Sequence, residues 1–570
     1  MGDSIRLYRQ GSNLHVAGVQ EPVLALRADI RSPSAKHLNT SLDIQLGYPT
    51  LPKAGDRFYY ELASEWLRQC DERHACARKS SDLLPTRVLD VGDPSNDVSG
   101  AAPLIRLYQP SRGERGRYIT VSHCWGKVEP AEKARYCTYA CNIRDRMRGI
   151  SWDDLPQSFR DAVTVTRRLG IRYLWIDSIC IIQPHQDCPV CSMTAASDWA
   201  SECTRMEAYY SSAYCTIAAT SAKDSREGFL RDGIEGDRYP RYNAEQFVEV
   251  PGPPGTRLYV CKFQDRFDRD VEDAVLNRRG WVLQERALSR RVLHFTSKQV
   301  YWECGKGVHS QTLTKMRSSA QRLMGDPQFP SAMLSLVKGD RISLFQQLFA
   351  LYSRLALTEP TDRPLAIAGL ESRLARTLKT SAVHGIFVRY LHRSLLWCRA
   401  GKRPLQRIQF PPGRGVPTWS WMAYKGEIDY MQLPFSGMEW YGAISDSFHV
   451  NTGQFTEDTT GLEDRKQGRA VFEVTVRKFD VNDEESADSL HLDAADYASM
   501  KDKEKLRCVV LGRDKPTSHS GGQEYYYVLI VMPVGAPGNQ EYATLERVGV
   551  GRLLRSHLML SEPGLRARFV

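Results

Sequence analysis

Residues 118–127 read YITVSHCWGK. Tyr118, Ile119, Thr120 and Val121 are β-branched or aromatic, and such a run suits a buried strand. The character then changes at once, to Ser122, His123, Cys124, Trp125 and Gly126. A short apolar strand that ends in polar and aromatic groups before a glycine turn is how an α/β sheet presents a site. The carboxyl ends of parallel strands face a crevice, and function-bearing side chains gather there.

Working outward, the next segments repeat this pattern. Residues 128–150 are charged and read as a loop with a short helix. Pro156 stands where a first-turn proline belongs, Phe159, Val163 and Thr166 keep a helical period to Leu169, and Gly170 ends it. Tyr173-Leu-Trp-Ile-Asp177 is a second strand that closes on an acid, followed by Ser178. A right-handed crossover lays it parallel to the first. Asp198 to Tyr210 reads as a helix capped by Asp198, with Trp199, Met206 and Tyr210 at core spacing, and Tyr214 to Ala219 as a third strand ending in Thr220 and Ser221. The helix at 277–286, NRRGWVLQER, places Trp281 and Glu285 four residues apart on one face. Strands follow at 290–296 and 299–303. A carboxylate beside a Trp is a candidate for a tuned group. His123 next to Cys124 suits a Cys–His nucleophile poorly, because adjacent strand residues point to opposite faces.

The 14 cysteines of this 570-residue chain read as reduced thiols. Cys70-Asp-Glu-Arg-His74-Ala-Cys76 closes a helix that begins near Phe58 and offers three soft ligands, but no fourth lies at a usual spacing. Cys188-Pro-Val-Cys191 lacks a second pair, Cys180 and Cys203 being near only in sequence. Neither cluster is therefore expected to hold zinc. Lys and Arg exceed Asp and Glu by 10, with the charges dispersed, which does not argue for nucleic acid. No apolar run approaches the roughly 18 residues of a membrane helix. Met1 to Gln10 shows no apolar signal core. The expectation is a cytoplasmic chain without membrane attachment. Neither GxxxxGK[ST] nor GxGxxG occurs in it.

Further along, residues 84–91 read as a strand and residues 92–103 as a polar Pro/Gly loop. Residues 222–275 are an excursion with a strand at 258–261. Helical periods cover 344–354, 364–377 and 382–397. A β-rich tail starts at Pro417, with strands at 471–479, 506–511 and 525–531 and an acidic loop at 481–505.

Four blocks together resemble the heterokaryon-incompatibility (HET) domain of filamentous fungi. They are YITVSHCWGK, LPQSFRDAVTVTRRLGIRYLWIDSICIIQ, DWASECTRMEAYYSSAYCTIAATSA and RGWVLQERALSRRVLHF. CDERHAC, LPTRVLDV, LTEPTDRPLAIAGL and PTWSWMAYKGEI resemble flanking pieces of the same proteins, and the CPVC segment between Gln183 and Asp198 departs from them as an insertion. The resemblance implies a HET domain at 104–305 after an N-terminal flanking region at 1–103, and the patterns beyond it divide the rest into a helical region at 306–415 and a β-rich region at 416–570. HET domains resemble, more distantly, Toll/interleukin-1 receptor (TIR) domains, which implies an α/β, flavodoxin-like, mainly parallel sheet flanked by helices. Some TIR domains cleave NAD with a Glu in a W-x-x-x-E setting, the spacing of Trp281 and Glu285.

Glu285 is accordingly the catalytic candidate. Ser122, Trp125, Asp177, Ser178, Ser221 and Trp281 are the candidate ligand-binding residues in a cleft at the strand ends. NAD is the possible substrate, and no bound cofactor is expected. The implied role is fungal self/non-self recognition or a related death response, with self-association and other incompatibility proteins as partners. Its two forms are an NAD(P) glycohydrolase and a non-enzymatic signalling module acting through protein contacts.

Overall fold

The computed structural model describes residues 6–29, 44–47, 57–74, 76, 82–92, 104–185, 188–230, 247–316, 324, 326–441, 472–481, 489–494, 502–515, 523–534 and 543–569. The chain divides into two compact units, Met1–Phe329 and Pro330–Val570. The Pro/Gly loop read at 92–103 lies largely outside the described residues.

The first unit is built on a nine-stranded sheet. Its strands are β1 (Val88–Asp90), β2 (Arg106–Tyr108), β3 (Tyr118–Ser122), β4 (Tyr173–Trp175), β5 (Cys215–Ala218), β6 (Arg291–Phe295), β7 (Val300–Cys304), β8 (Gly307–Ser310) and β9 (Lys315–Met316). Four helices matter for the site: α1 (Arg57–Arg73), α2 (Gln157–Arg168), α3 (Pro189–Ser212) and α4 (Gly280–Leu288). The spatial order of the strands is β9-β8-β7-β6-β5-β3-β4-β1-β2.

The strands expected near 118, 173, 215 and 291 lie side by side. β3 pairs in parallel with β4 and with β5, and β5 pairs in parallel with β6. The remaining five strands are antiparallel additions at the two edges. The sheet is therefore mixed, and the expectation of a mainly parallel one is corrected. Tight turns such as Gly305-Lys306 between β7 and β8 can only join antiparallel neighbours. From β3 the chain moves to β4 on one side, then back to β5 on the other. That reversal makes the carboxyl end of β3 a topological switch point, where crevices open in α/β sheets.

All five residues of β3 are buried, as in a strand covered on both faces. Tyr118 reaches α3, donating its hydroxyl to the Tyr209 carbonyl at 2.7 Å. Thr120 meets the Thr216 hydroxyl at 2.7 Å. Beyond the strand end, His123 points to α2, its ring 5.0 Å from Phe159. The period of two thus sends 118, 120 and 122 toward α3 and α4, and 123 toward α2. Gly170, with φ 71°, lets the chain leave α2 in a left-handed turn.

Two expectations for the helices change. α3 starts at Pro189, not Asp198, because Cys188 caps it through its sulfur and Pro189 suits the first turn. The CPVC segment is thus a helix start, and Asp198 instead receives Arg87 and the Ile182 N–H. The excursion also finds a partner. Phe247–Pro251 and Arg257–Lys262 join Leu7–Gln10, Asn13–Val16, Leu24–Asp29 and Leu46–Gly47 in a separate six-stranded sheet.

The second unit holds helices Lys338–Ser353 and Ala368–Leu378 and a seven-stranded sheet centred on Arg507–Asp514, Tyr525–Val534 and Ala543–Leu554. The helix expected over 382–397 is replaced by a two-strand hairpin, a short helix at Leu391–Leu395 and a strand at Trp397–Arg399. His384 and Gly385 both take positive φ, which turns the chain where a helix would continue. The acidic segment 481–505 contributes a strand, Leu490–Leu492, among its described residues. No helix of the described residues is long and apolar enough to cross a membrane.

Gly126 closes the turn after β3 with φ 77°, and a Cβ there would sit 2.2 Å from the Asp224 Cβ. Gly126→Ala combines backbone strain with overpacking and should lower stability by about 1–3 kcal/mol. Urea denaturation of the two proteins measures this, and equal midpoints would contradict it.

Candidate functional site

The site is assembled at the carboxyl ends of β3 and β4. Ser122, the last residue of β3, donates its hydroxyl to Glu285 Oε2 at 2.5 Å. Glu285 projects inward from α4 and is 7% exposed. Asp177 opens a short helix, Asp177–Cys180, one residue beyond Ile176, and its side chain is 24% exposed. Trp125 Nε1 donates to Asp177 Oδ2 at 2.8 Å, and the Ser178 N–H donates to Oδ1 at 2.7 Å. Trp125 thereby lies over the rim as a half-buried wall. His123 Nε2 stands 3.9 Å from Asp177 Oδ1 and has no hydrogen-bond partner among the described residues.

Burial lifts the Glu285 carboxyl to about 7, against an ordinary 4.5. The Ser122 hydroxyl, Arg279 and Tyr210 pull it back, and the nearby Asp177 charge pushes it further up. Burial likewise holds His123 below its usual range, so the imidazole is neutral at pH 7. Cys124 packs against Ala218, Leu276, Val282 and Val292, and burial raises its thiol, which keeps it protonated. A buried, protonated thiol is a poor nucleophile.

α4 is held from below by a run of hydroxyls. Thr120 meets Thr216, Thr216 meets the Ser289 hydroxyl at 2.6 Å, and Ser289 donates to the Glu285 carbonyl at 2.6 Å. The residue after the candidate acid is pinned as well. Arg286 donates to Glu303 at 2.8 Å and to Glu272 at 2.7 Å. Together these contacts set the position from which Glu285 reaches Ser122.

The structure thus joins Ser122 with Glu285, and Trp125 with Asp177, in one neighbourhood. Of the other three candidates, Ser178 borders it through its backbone, and Ser221 and Trp281 make their contacts elsewhere. Ser178 contributes its N–H to Asp177, while its buried hydroxyl has no partner among the described residues. Ser221 is tied by its N–H to the Phe295 carbonyl at 3.2 Å. Trp281 turns to α3, where it meets the Trp199 ring edge-on at 5.7 Å. The i,i+4 spacing placed Trp281 and Glu285 on one helical face, and that face spans both α3 and the sheet. Glu285 itself is buried rather than lining an open cleft.

Two groups escaped the sequence reading. Arg279, at the N-cap of α4, donates to the His123 carbonyl at 2.6 Å and lies close enough to Glu285 to lower its pKa. Its only signal was its place just before Gly280. Tyr210 was read as core, yet its hydroxyl donates to the Val121 carbonyl at 3.1 Å and lies close enough to Glu285 to lower its pKa.

The family model described as Heterokaryon incompatibility protein (HET) matches residues 118–285. Residues 118–285 are a HET domain. The match opens on Tyr118, the first residue of β3, and closes on Glu285, so it contains both partners of the 2.5 Å contact. No curated protein and no solved structure matches the chain.

The raised carboxyl has a consequence for stability. The folded HET domain holds a proton on Glu285 up to about pH 7, whereas the unfolded chain releases it near 4.5. The stabilisation is full below 4.5 and is lost as pH rises through 7. Glu285→Gln lacks this titration. Wild type minus Glu285→Gln in unfolding free energy should fall by about 3 kcal/mol between pH 4 and pH 8. Urea melts of both proteins across this range read it, and a flat difference would show that the carboxyl titrates normally.

Proposed function

We propose that this chain acts in fungal heterokaryon incompatibility, and that its HET domain cleaves NAD(P) or a closely related nucleotide at the nicotinamide–ribose bond. The observation that carries the reading is Glu285. It is a buried carboxyl raised to about 7, held by Ser122 at a switch point, with an aromatic wall and a second carboxylate beside it. The strand order β4-β3-β5-β6 also follows the first four places of the flavodoxin-like order, which supports kinship with TIR domains.

In this reading the C1′–N bond breaks, its electron pair leaves with nicotinamide, and the ribose gains oxocarbenium character. Glu285 as carboxylate stabilises that charge, and water adds to C1′ with loss of a proton. A pKa near the working pH suits a group that holds charge at one step and accepts a proton at the next. Trp125 stacks on a base, Asp177 receives ribose hydroxyls, and Arg279 meets phosphate. Because Glu285 is 7% exposed, substrate entry needs the Trp125–Asp177 rim to open, and self-association of the chain is the step proposed to open it.

That same burial supports a second reading. A carboxyl this enclosed also serves as a structural pin for α4, in which case the domain signals through protein contacts in the cytoplasm.

Purified wild type, concentrated to drive self-association, should release nicotinamide from NAD. Glu285→Gln should be slower by about 100- to 1,000-fold, as for loss of one transition-state contact. Killing by wild type in cells with unchanged NAD would favour the contact-based reading, and undiminished turnover by Glu285→Gln would remove this residue from catalysis.

A further inference from the structure

A second cluster of reactive side chains lies away from the Glu285 site, at the end of α1. Cys70 sits in the last turn of that helix, and the His74 N–H still bonds the Cys70 carbonyl at 3.3 Å. The i,i+4 spacing puts the thiol and the imidazole on one side of the helix end. Cys76 follows just beyond it. The expectation of no metal here rested on a missing fourth ligand, and folding supplies one. Cys304, the last residue of β7, arrives 230 residues from His74 and places its Sγ 3.6 Å from His74 Nδ1. The ligand atoms of all four residues lie within 4.8 Å of one another.

The geometry points to a structural zinc site formed by Cys70, His74, Cys76 and Cys304. In a tetrahedral site, Zn–S of about 2.3 Å and Zn–N of about 2.0–2.1 Å put sulfur and nitrogen about 3.6 Å apart. The His74–Cys304 separation has that value. Three cysteines and one histidine form a complete four-ligand set with no open position, which is the structural class of zinc site. The three sulfurs are buried as well, Cys70, Cys76 and Cys304 being 0%, 3% and 2% exposed, with His74 half-buried at the rim.

The surroundings are shaped for sulfur. The Gly305 and Lys306 backbone N–H groups are directed at the Cys76 and Cys304 sulfurs. A Cβ at Gly305 would stand 3.1 Å from Cys76 Sγ and 2.7 Å from Pro327 Cδ, so only glycine lets the turn close over the thiol. Trp66 on α1 stacks on Trp302 of β7 at 6.4 Å, and this packing brings the two ligand-bearing elements together before any metal binds. A zinc ion would then fasten the α1 end to the β7–β8 turn. Binding replaces thiol protons by the metal, so two or three protons leave to solvent, and no oxidant or reductant is required.

The test uses the full chain purified without chelator. Elemental analysis should find one zinc per chain, and Cys304→Ser should lose it, while a Cys188→Ser/Cys191→Ser double variant keeps it. If Cys304→Ser does not fold, the wild type still decides. Mercurial modification of its thiols should release one zinc, and cobalt in place of zinc should show the absorption of a tetrahedral thiolate site. A chelator should lower the melting temperature, and added zinc should restore it. Zinc lost with Cys188 and Cys191 but kept without Cys304 would overturn the assignment. So would a metal-free chain that takes up no zinc, or a mass two units low from a disulfide among the three cysteines.

Discussion

The Ser122–Glu285 hydrogen bond is the contact on which the HET domain's arrangement turns. It joins the first strand of the domain to its last helix across 163 residues, at the one strand end where the sheet reverses direction. A carboxyl buried this deeply is costly as a charge, and the Ser122 and Tyr210 hydroxyls and the Arg279 guanidinium do not offset that cost. The carboxyl therefore keeps its proton to near neutrality. A small change in its surroundings, such as access of water or approach of a cation, would tip it between acid and base.

Such a carboxyl needs its helix held rigidly, and polar contacts do that holding. Arg286 is enclosed by Glu272 and Glu303, and His294 meets Glu303 at 2.9 Å. Breaking one partner of such a buried set strands the other, at a cost of about 3–5 kcal/mol. The hydroxyl run from Thr120 to Ser289 adds directional contacts beneath α4. Apolar packing alone would let a nine-residue helix slide; these bonds fix its register against β3.

Much of this was legible in the chain because it depends on local pattern. The run at 118–121 and the period of helix 157–168 name their elements directly, and the strand ends place Ser122 and Asp177 on one rim. The Trp281–Glu285 spacing drew attention to Glu285, the carboxyl that the fold joins to Ser122. What could not be read was long-range. Trp281 and Glu285 share a face, yet one meets α3 and the other the sheet, since a helix lodged in a groove has two neighbours on one side. Tyr210 looked like core because a phenol is mostly apolar, and only its hydroxyl's position reveals the bond to the strand. β7 and β8 are antiparallel because short turns follow β6 and β7, whereas the antiparallel pairing of β1 with β4 at the other edge is a long-range contact that apolar runs do not announce. The hairpin at 382–387 was missed because its apolar residues fit a helix, and the backbone at His384 and Gly385 overrides that fit.

Strand β7 connects the two sites of the first unit through the simplest property of a strand. Successive residues face opposite ways. Trp302 and Cys304 face α1, where one stacks on Trp66 and the other joins Cys70 and His74. Tyr301 and Glu303 face the other side, where Glu303 clasps Arg286 beside the candidate acid. Any force that fixes Cys304 therefore also fixes the backbone of Glu303, the adjacent residue. A metal at the thiols would reach Glu285 through Cys304, Glu303 and Arg286, each step a covalent bond or a buried ion pair.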